Sequence, residues 1–133
     1  MFRVPTYVAR SSIHGFGVFA AVPIPEGTII WQFDEETDWM LSEEEMAAFP
    51  EKLREQMEAW TYQNEEGAYI LCADGAKFMN HSFEPNCDDR GWVETVAARD
   101  IEVGEELTCD YREFDMKSKE NGLIEYQQRR AAS

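Results

Sequence analysis

Three sets of residues have types and spacing suited to chemistry. Gly15-Phe16-Gly17 lets backbone approach a ligand closely, because neither glycine carries a Cβ. It is too short for a dinucleotide fingerprint, since the third glycine is missing and no long helix follows. Asn80-His81-Ser82 sets three polar side chains in a row. A Ser/His hydrolase reading fails there, because adjacent residues do not easily make the nucleophile–base hydrogen bond and no nucleophile elbow surrounds them. Carboxylate pairs stand at Glu35-Glu36, Asp88-Asp89 and Glu105-Glu106, and most read as solvated surface. His14 and His81 lack metal-ligand spacing with any acid or thiolate, so His81 taken alone reads as a satisfied structural residue. The three cysteines, at 72, 87 and 109, are odd in number and form no CxxC pair. That speaks against a disulfide framework and a thiolate zinc site, and fits a cytoplasmic protein, or a nuclear one if the source is eukaryotic.

The elements that must position these residues are short. His14-Gly15-Phe16-Gly17 reads as a turn, followed by a short apolar run from Val18 to Ala21. Pro23-Ile24-Pro25-Glu26-Gly27 is a second turn, because Pro fixes φ and Gly accepts positive φ. Thr28-Ile29-Ile30-Trp31 reads as a strand. Ser42 and Glu45 form a capping box, with Leu41 and Met46 at its staple positions, and the cap is worth about 1 kcal/mol. Pro50 ends that helix and is placed to open the next at its first position. Leu53, Met57 and Trp60 recur at helical spacing and are expected in the core. Ala68 to Ala73 and Trp92 to Ala98 are strand-like, and Glu105 to Tyr111 reads as extended. The tail from Arg112 is polar, with Leu123, Ile124 and Tyr126 as its late apolar anchors. Many short strands with one helical insert predict an α+β fold, mainly β.

Composition bounds the function. At 133 residues, 44% hydrophobic and 13% aromatic, the chain fits one ordered domain. No apolar run approaches the ~18 residues of a membrane span, and Met1 to Ser12 has no apolar stretch of the kind a secretory signal needs. The net charge of −15 repels phosphate backbones, which argues against direct nucleic-acid binding and favours a basic partner. Between Asp34 and Glu66 stand 12 acidic and two basic residues, a net of −10.

In combination the motifs are more specific. His14-Gly15-Phe16-Gly17-Val18-Phe19-Ala20 is followed by Phe78-Met79-Asn80-His81-Ser82-Phe83-Glu84-Pro85-Asn86-Cys87. Ala98-Arg99-Asp100-Ile101 then leads into Gly104-Glu105-Glu106-Leu107-Thr108-Cys109-Asp110-Tyr111. In order and spacing this resembles the SET-domain family of protein-lysine methyltransferases, from about Arg10 to Tyr111.

The resemblance implies a fold of several small curved β-sheets. In it the Asn-His segment and the final Tyr segment form a knot-like crossing, and residues 1–111 make the domain, with a helical insert at about 42–60. It implies transfer of a methyl group from S-adenosylmethionine to lysine in a protein, the donor binding on one face and the lysine entering a channel from the other. By resemblance, the backbone at Gly15, Phe16 and Gly17 approaches the methionine end of the donor. Asn80 and His81 hold its amino and adenine groups, and the catalytic Tyr111 stands where the channel meets the methyl group. Tyr62 and Tyr69 are its candidate channel aromatics, or structural residues, and Cys109 faces the channel beside Tyr111.

One departure concerns metal. Many members carry a cysteine where Phe83 stands, joined by three more beyond the final Tyr to hold zinc. Phe83 and the lack of any cysteine after Cys109 predict no metal. The tail, 112–133, must then close the channel with Phe114 and Tyr126, or a partner subunit closes it in a homodimer. The alternative reading is a SET-like fold that binds a peptide or protein and no longer catalyses.

Overall fold

Short β-branched and aromatic runs, each cut off by Gly, Pro or a polar turn, set the architecture, which a computed structural model describes over residues 1–120. In chain order the strands are β1 (Thr6–Arg10), β2 (Phe16–Ala20), β3 (Ile29–Gln32) and β4 (Trp39–Leu41). The helices α1 (Glu43–Ala47) and α2 (Glu51–Trp60) follow, then β5 (Thr61–Gln63) and β6 (Tyr69–Leu71). The chain continues through β7 (Asn80–His81), β8 (Cys87–Arg90), β9 (Glu94–Ala97), β10 (Glu106–Cys109) and α3 (Met116–Glu120).

The strands make three small sheets, ordered β1-β2-β10-β7, β3-β9-β8 and β4-β6-β5. This is the α+β architecture with small sheets and a short helical insert that the sequence predicts. In the first sheet β10 runs antiparallel to β2 and parallel to β7, with Thr108 opposite Asn80 and Cys109 opposite His81. Asn86 locks the same crossing. Its Nδ2 donates to Glu106 O at 2.8 Å, and its Oδ1 accepts from Thr108 N at 2.9 Å. Val18, Ile24, Ile30, Ile101 and Leu107 are buried in the main core around this crossing. Burying each such side chain contributes about 1.5–3 kcal/mol, and Leu107→Ala would cost about 2–5 kcal/mol.

The insert forms as its local signals require. Ser42 Oγ accepts from Glu45 N at 3.0 Å, and Glu45 Oε1 accepts from Ser42 N at 3.1 Å. Leu41 and Met46 are buried together with Met57 in a second, smaller cluster. Two expectations need correction. Pro50 is the N-cap of α2, one residue before its first turn. The Leu53, Met57, Trp60 stripe is not all core: Met57 is buried, but Leu53 is 46% and Trp60 41% exposed. The small cluster covers only the middle of α2, so its first and last turns run past it.

The strand expected to reach Tyr111 stops at Cys109. Asp110 caps a 3-10 turn from Tyr111 to Glu113 by accepting from Arg112 N at 3.0 Å. Leu123, Ile124, Tyr126 and most of the expected tail lie outside the described residues. Among the described residues, no helix is long and apolar enough to cross a membrane.

Candidate active site

A cavity of about 800 Å³ opens where the sheets meet. That is a volume of the size ligand sites use, ~300–1,000 Å³. Gly15 and Phe16 line it from the β1–β2 turn, and Cys109, Tyr111 and Phe114 line it from the end of β10 and beyond. Tyr62 and Tyr69 line it from the third sheet. Gly17, Asn80 and His81 are not among the residues that line it.

The two glycines serve different needs. Gly15 has φ +47°, and nothing stands within 4 Å of where its Cβ would be, so the turn is left-handed and open. A Cβ on Gly17 would meet Glu106 Oε2 at 2.5 Å and Ser11 Cβ at 3.1 Å. That Glu106 carboxylate accepts from Ser11 Oγ at 2.7 Å and from Asn80 Nδ2 at 2.9 Å. Asn80 Nδ2 also reaches the carbonyl oxygens of His14 at 3.0 Å and Phe16 at 3.1 Å. A buried amide and a carboxylate thus fix the path of the glycine turn.

His81 Nδ1 accepts from the backbone N–H of Tyr111 at 3.1 Å, which ties β7 to the turn carrying that tyrosine. The Tyr111 hydroxyl donates to the carbonyl oxygen of Met79. Its ring lies 5.8 Å from that of Phe114, which in turn meets Tyr62 edge-on at 5.1 Å. Tyr62 Oη donates to Trp92 O at 2.6 Å. Burial, then the neighbouring Cys72 and Asp89, push the Tyr62 hydroxyl well above its ordinary pKa. Burial likewise lifts the Cys109 thiol, so it is neutral. Phe114, expected as one of the tail aromatics, lines the cavity between Tyr111 and Tyr62.

Lys117 reaches back from α3. Its Nζ donates to Glu58 O at 2.6 Å and Thr61 O at 2.7 Å, supplying a cation at the end of α2, whose own last turn has no basic residue. Burial lowers its pKa. Phe83 is exposed, edge-on to His81 at 4.7 Å, with the Arg112 guanidinium 4.9 Å from its ring centroid. Among the described residues no three His, Cys, Asp or Glu converge as metal ligands, and the three cysteines are buried free thiols.

Four contributors escaped the sequence reading: Ser11 and Glu106 behind the glycine turn, and Trp31 and Asp89, which line the cavity. Glu106 and Asp89 each belong to an acidic pair that looks like surface. Strand alternation was the available signal for Asp89, since it shares a face of β8 with the buried Cys87.

A family model described as the SET domain matches residues 15–112. The chain is 34% identical over 73% of its length to the histone-lysine N-methyltransferase ash1 of Drosophila melanogaster. It is 30% identical over 88% of its length to the human histone-lysine N-methyltransferase 2D. It spans only 5% and 2% of those two relatives. Among solved structures it resembles a humanized mutant of the Chaetomium thermophilum Polycomb Repressive Complex 2. The TM-score is 0.64 at 20% identity, covering 87% of this chain and 16% of that one, a likeness of fold.

Proposed function

The chain belongs to the SET-domain family, and on that premise we propose that it transfers a methyl group from S-adenosylmethionine to the side-chain amine of lysine in a protein. One observation carries the reading: Tyr111 lines the cavity, and its hydroxyl is anchored by donating to Met79 O. A hydroxyl anchored in this way is a preorganised group that can orient reacting groups.

The residues present fit the donor. Gly15 is open on the side where a Cβ would stand, and the cavity it lines has room for a nucleoside-sized group and a lysine stem. The donor, when bound, supplies a sulfonium methyl. Gly15 and Phe16 offer backbone to it, while Asn80 and Glu106 hold that backbone in place. Tyr62, Phe114 and Cys109 make the acceptor side apolar, which disfavours an ammonium and lowers the pKa of an entering lysine. Tyr111 orients the amine, and alignment supplies much of the rate of an in-line displacement. Glu55, Glu58 and Asp115 also line the cavity, which suits a lysine in a basic segment.

Calorimetric titration of chelator-treated protein with S-adenosylmethionine tests this. Saturable binding, weakened by Asn80→Ala, together with labelling of lysate proteins from the labelled donor, is expected. No heat and no thermal shift at millimolar donor would sink the catalytic reading and leave a binding module.

A further inference from the structure

One wall of the cavity carries a polar row that the reading above does not use. β3 has a register shift between Ile29 and Trp31, which sets Trp31 opposite Thr95. On the other side of β9, Thr95 stands opposite Asp89. Directly paired residues share a face of the sheet, and Trp31, Thr95 and Asp89 all line the cavity. Thr95 Oγ1 donates to Asp89 Oδ1 at 2.6 Å. On either side of that bond the row ends unsatisfied: Trp31 Nε1 and Asp89 Oδ2 are buried without a hydrogen-bond partner. A buried polar atom left without a hydrogen bond is costly to keep. A packed wall would not keep both, and a wall that receives a polar ligand would.

Resting on the methyltransferase reading, we propose that Asp89 receives the acceptor amine and takes its proton. The lysine arrives as an ammonium. An N–H bond breaks, an O–H bond forms on Asp89 Oδ2, and nitrogen keeps the electron pair needed to attack. Asp89 releases the proton to solvent before the next turnover. Burial of the carboxylate disfavours the ion pair against the neutral pair, which favours the transfer.

Groups around the carboxylate shape its affinity for the proton. Burial raises Asp89 to about 7, with the Thr95 hydrogen bond opposing and Glu113, Asp88 and Asp110 adding to the rise. Glu113 also accepts from the Asp89 backbone N–H at 3.2 Å. The Tyr62 hydroxyl and the thiols of Cys87 and Cys109 are neutral neighbours, their pKa values held up chiefly by burial.

The test has two arms. The first follows the Asp89 carboxyl carbon by NMR while n-butylammonium, a lysine side-chain analogue, is added. A saturable shift is expected, with none from tetramethylammonium, which has the charge but no N–H. An Asp89 signal unmoved by n-butylammonium overturns the proposal. The second arm compares Asp89→Asn, which keeps the shape and the Thr95 bond. Its kcat on a lysine peptide at pH 7 should fall about 10²–10⁴-fold with little change in KM, the deficit shrinking towards the lysine pKa of about 10. A wild-type kcat and pH profile, or a raised KM with kcat intact, overturns the proposal. Wild-type protein that methylates no lysine defeats the methyltransferase reading, and the amine titration still decides Asp89.

Discussion

The hydroxyl of Tyr111 is bound to the carbonyl oxygen of Met79, the residue directly before Asn80 and His81. The aromatic at the cavity wall and that polar pair are therefore fixed by one stretch of backbone. Tyr111→Phe removes only the hydroxyl, while the ring still packs on His81 and Phe114. Methyl transfer should fall by about 10²–10³, with stability down by only about 1 kcal/mol. Parallel activity and melting measurements check this, and unchanged activity would place the reacting groups elsewhere.

Gly17 tests the support behind the turn. Its Cβ would collide with a carboxylate that Ser11 and Asn80 already hold, so Gly17→Ala should cost about 1–3 kcal/mol and weaken donor binding. Adding Glu106→Ala opens that space. The double variant should then be more stable than the sum of the two single losses, a coupling that denaturant titration of all four proteins measures.

Cys109 bears on how many methyl groups are added. Its thiol is small and a weak hydrogen-bond donor, so the space beside Tyr111 should admit di- or trimethyl-lysine. The rival account lets Tyr62 or Tyr69 swing into that gap. Tyr62 is tethered to Trp92 O and packed on Phe114, which opposes the swing. Cys109→Tyr should shift the product towards monomethyl-lysine. Mass spectrometry after long incubation decides, and wild-type protein that stops at one methyl would favour the rival.

The acidic stretch from Asp34 to Glu66 makes a prediction about salt. If it steers a basic segment to the mouth, activity should fall as ionic strength rises, because exposed charges are screened over about 8 Å at physiological salt. Rates on matched basic and acidic peptides across a salt series measure this. A flat response with equal use of both peptides would assign the charge to solubility.

What could be read in the sequence was either local or fixed by motif. The Ser42–Glu45 box depends on residues three apart, and it formed as written. Phe114, one of the few aromatics after Tyr111, lines the cavity. Glu106 was not legible, since its role arises only on meeting Ser11 and Asn80, 95 and 26 positions away. For Asp89 alternation with Cys87 gave the face but not the row, whose Trp31 end depends on a register shift in β3. Leu53 and Trp60 misled because spacing defines a helix face but says nothing about how far the opposing surface extends.

The place of β10 between β2 and β7 also sets the order in which this molecule can be made. As the chain leaves the ribosome, β2 has β1 beside it but must wait for Glu106–Cys109 on its other edge, and the glycine turn waits for the Glu106 carboxylate. Pairing across such separations is slow, because loop closure precedes any gain from contact. A nascent or truncated chain that ends before β10 therefore lacks the middle strand and the cavity wall together. Completion of the sheet and completion of the cavity wall are one event, reached when β10 is delivered.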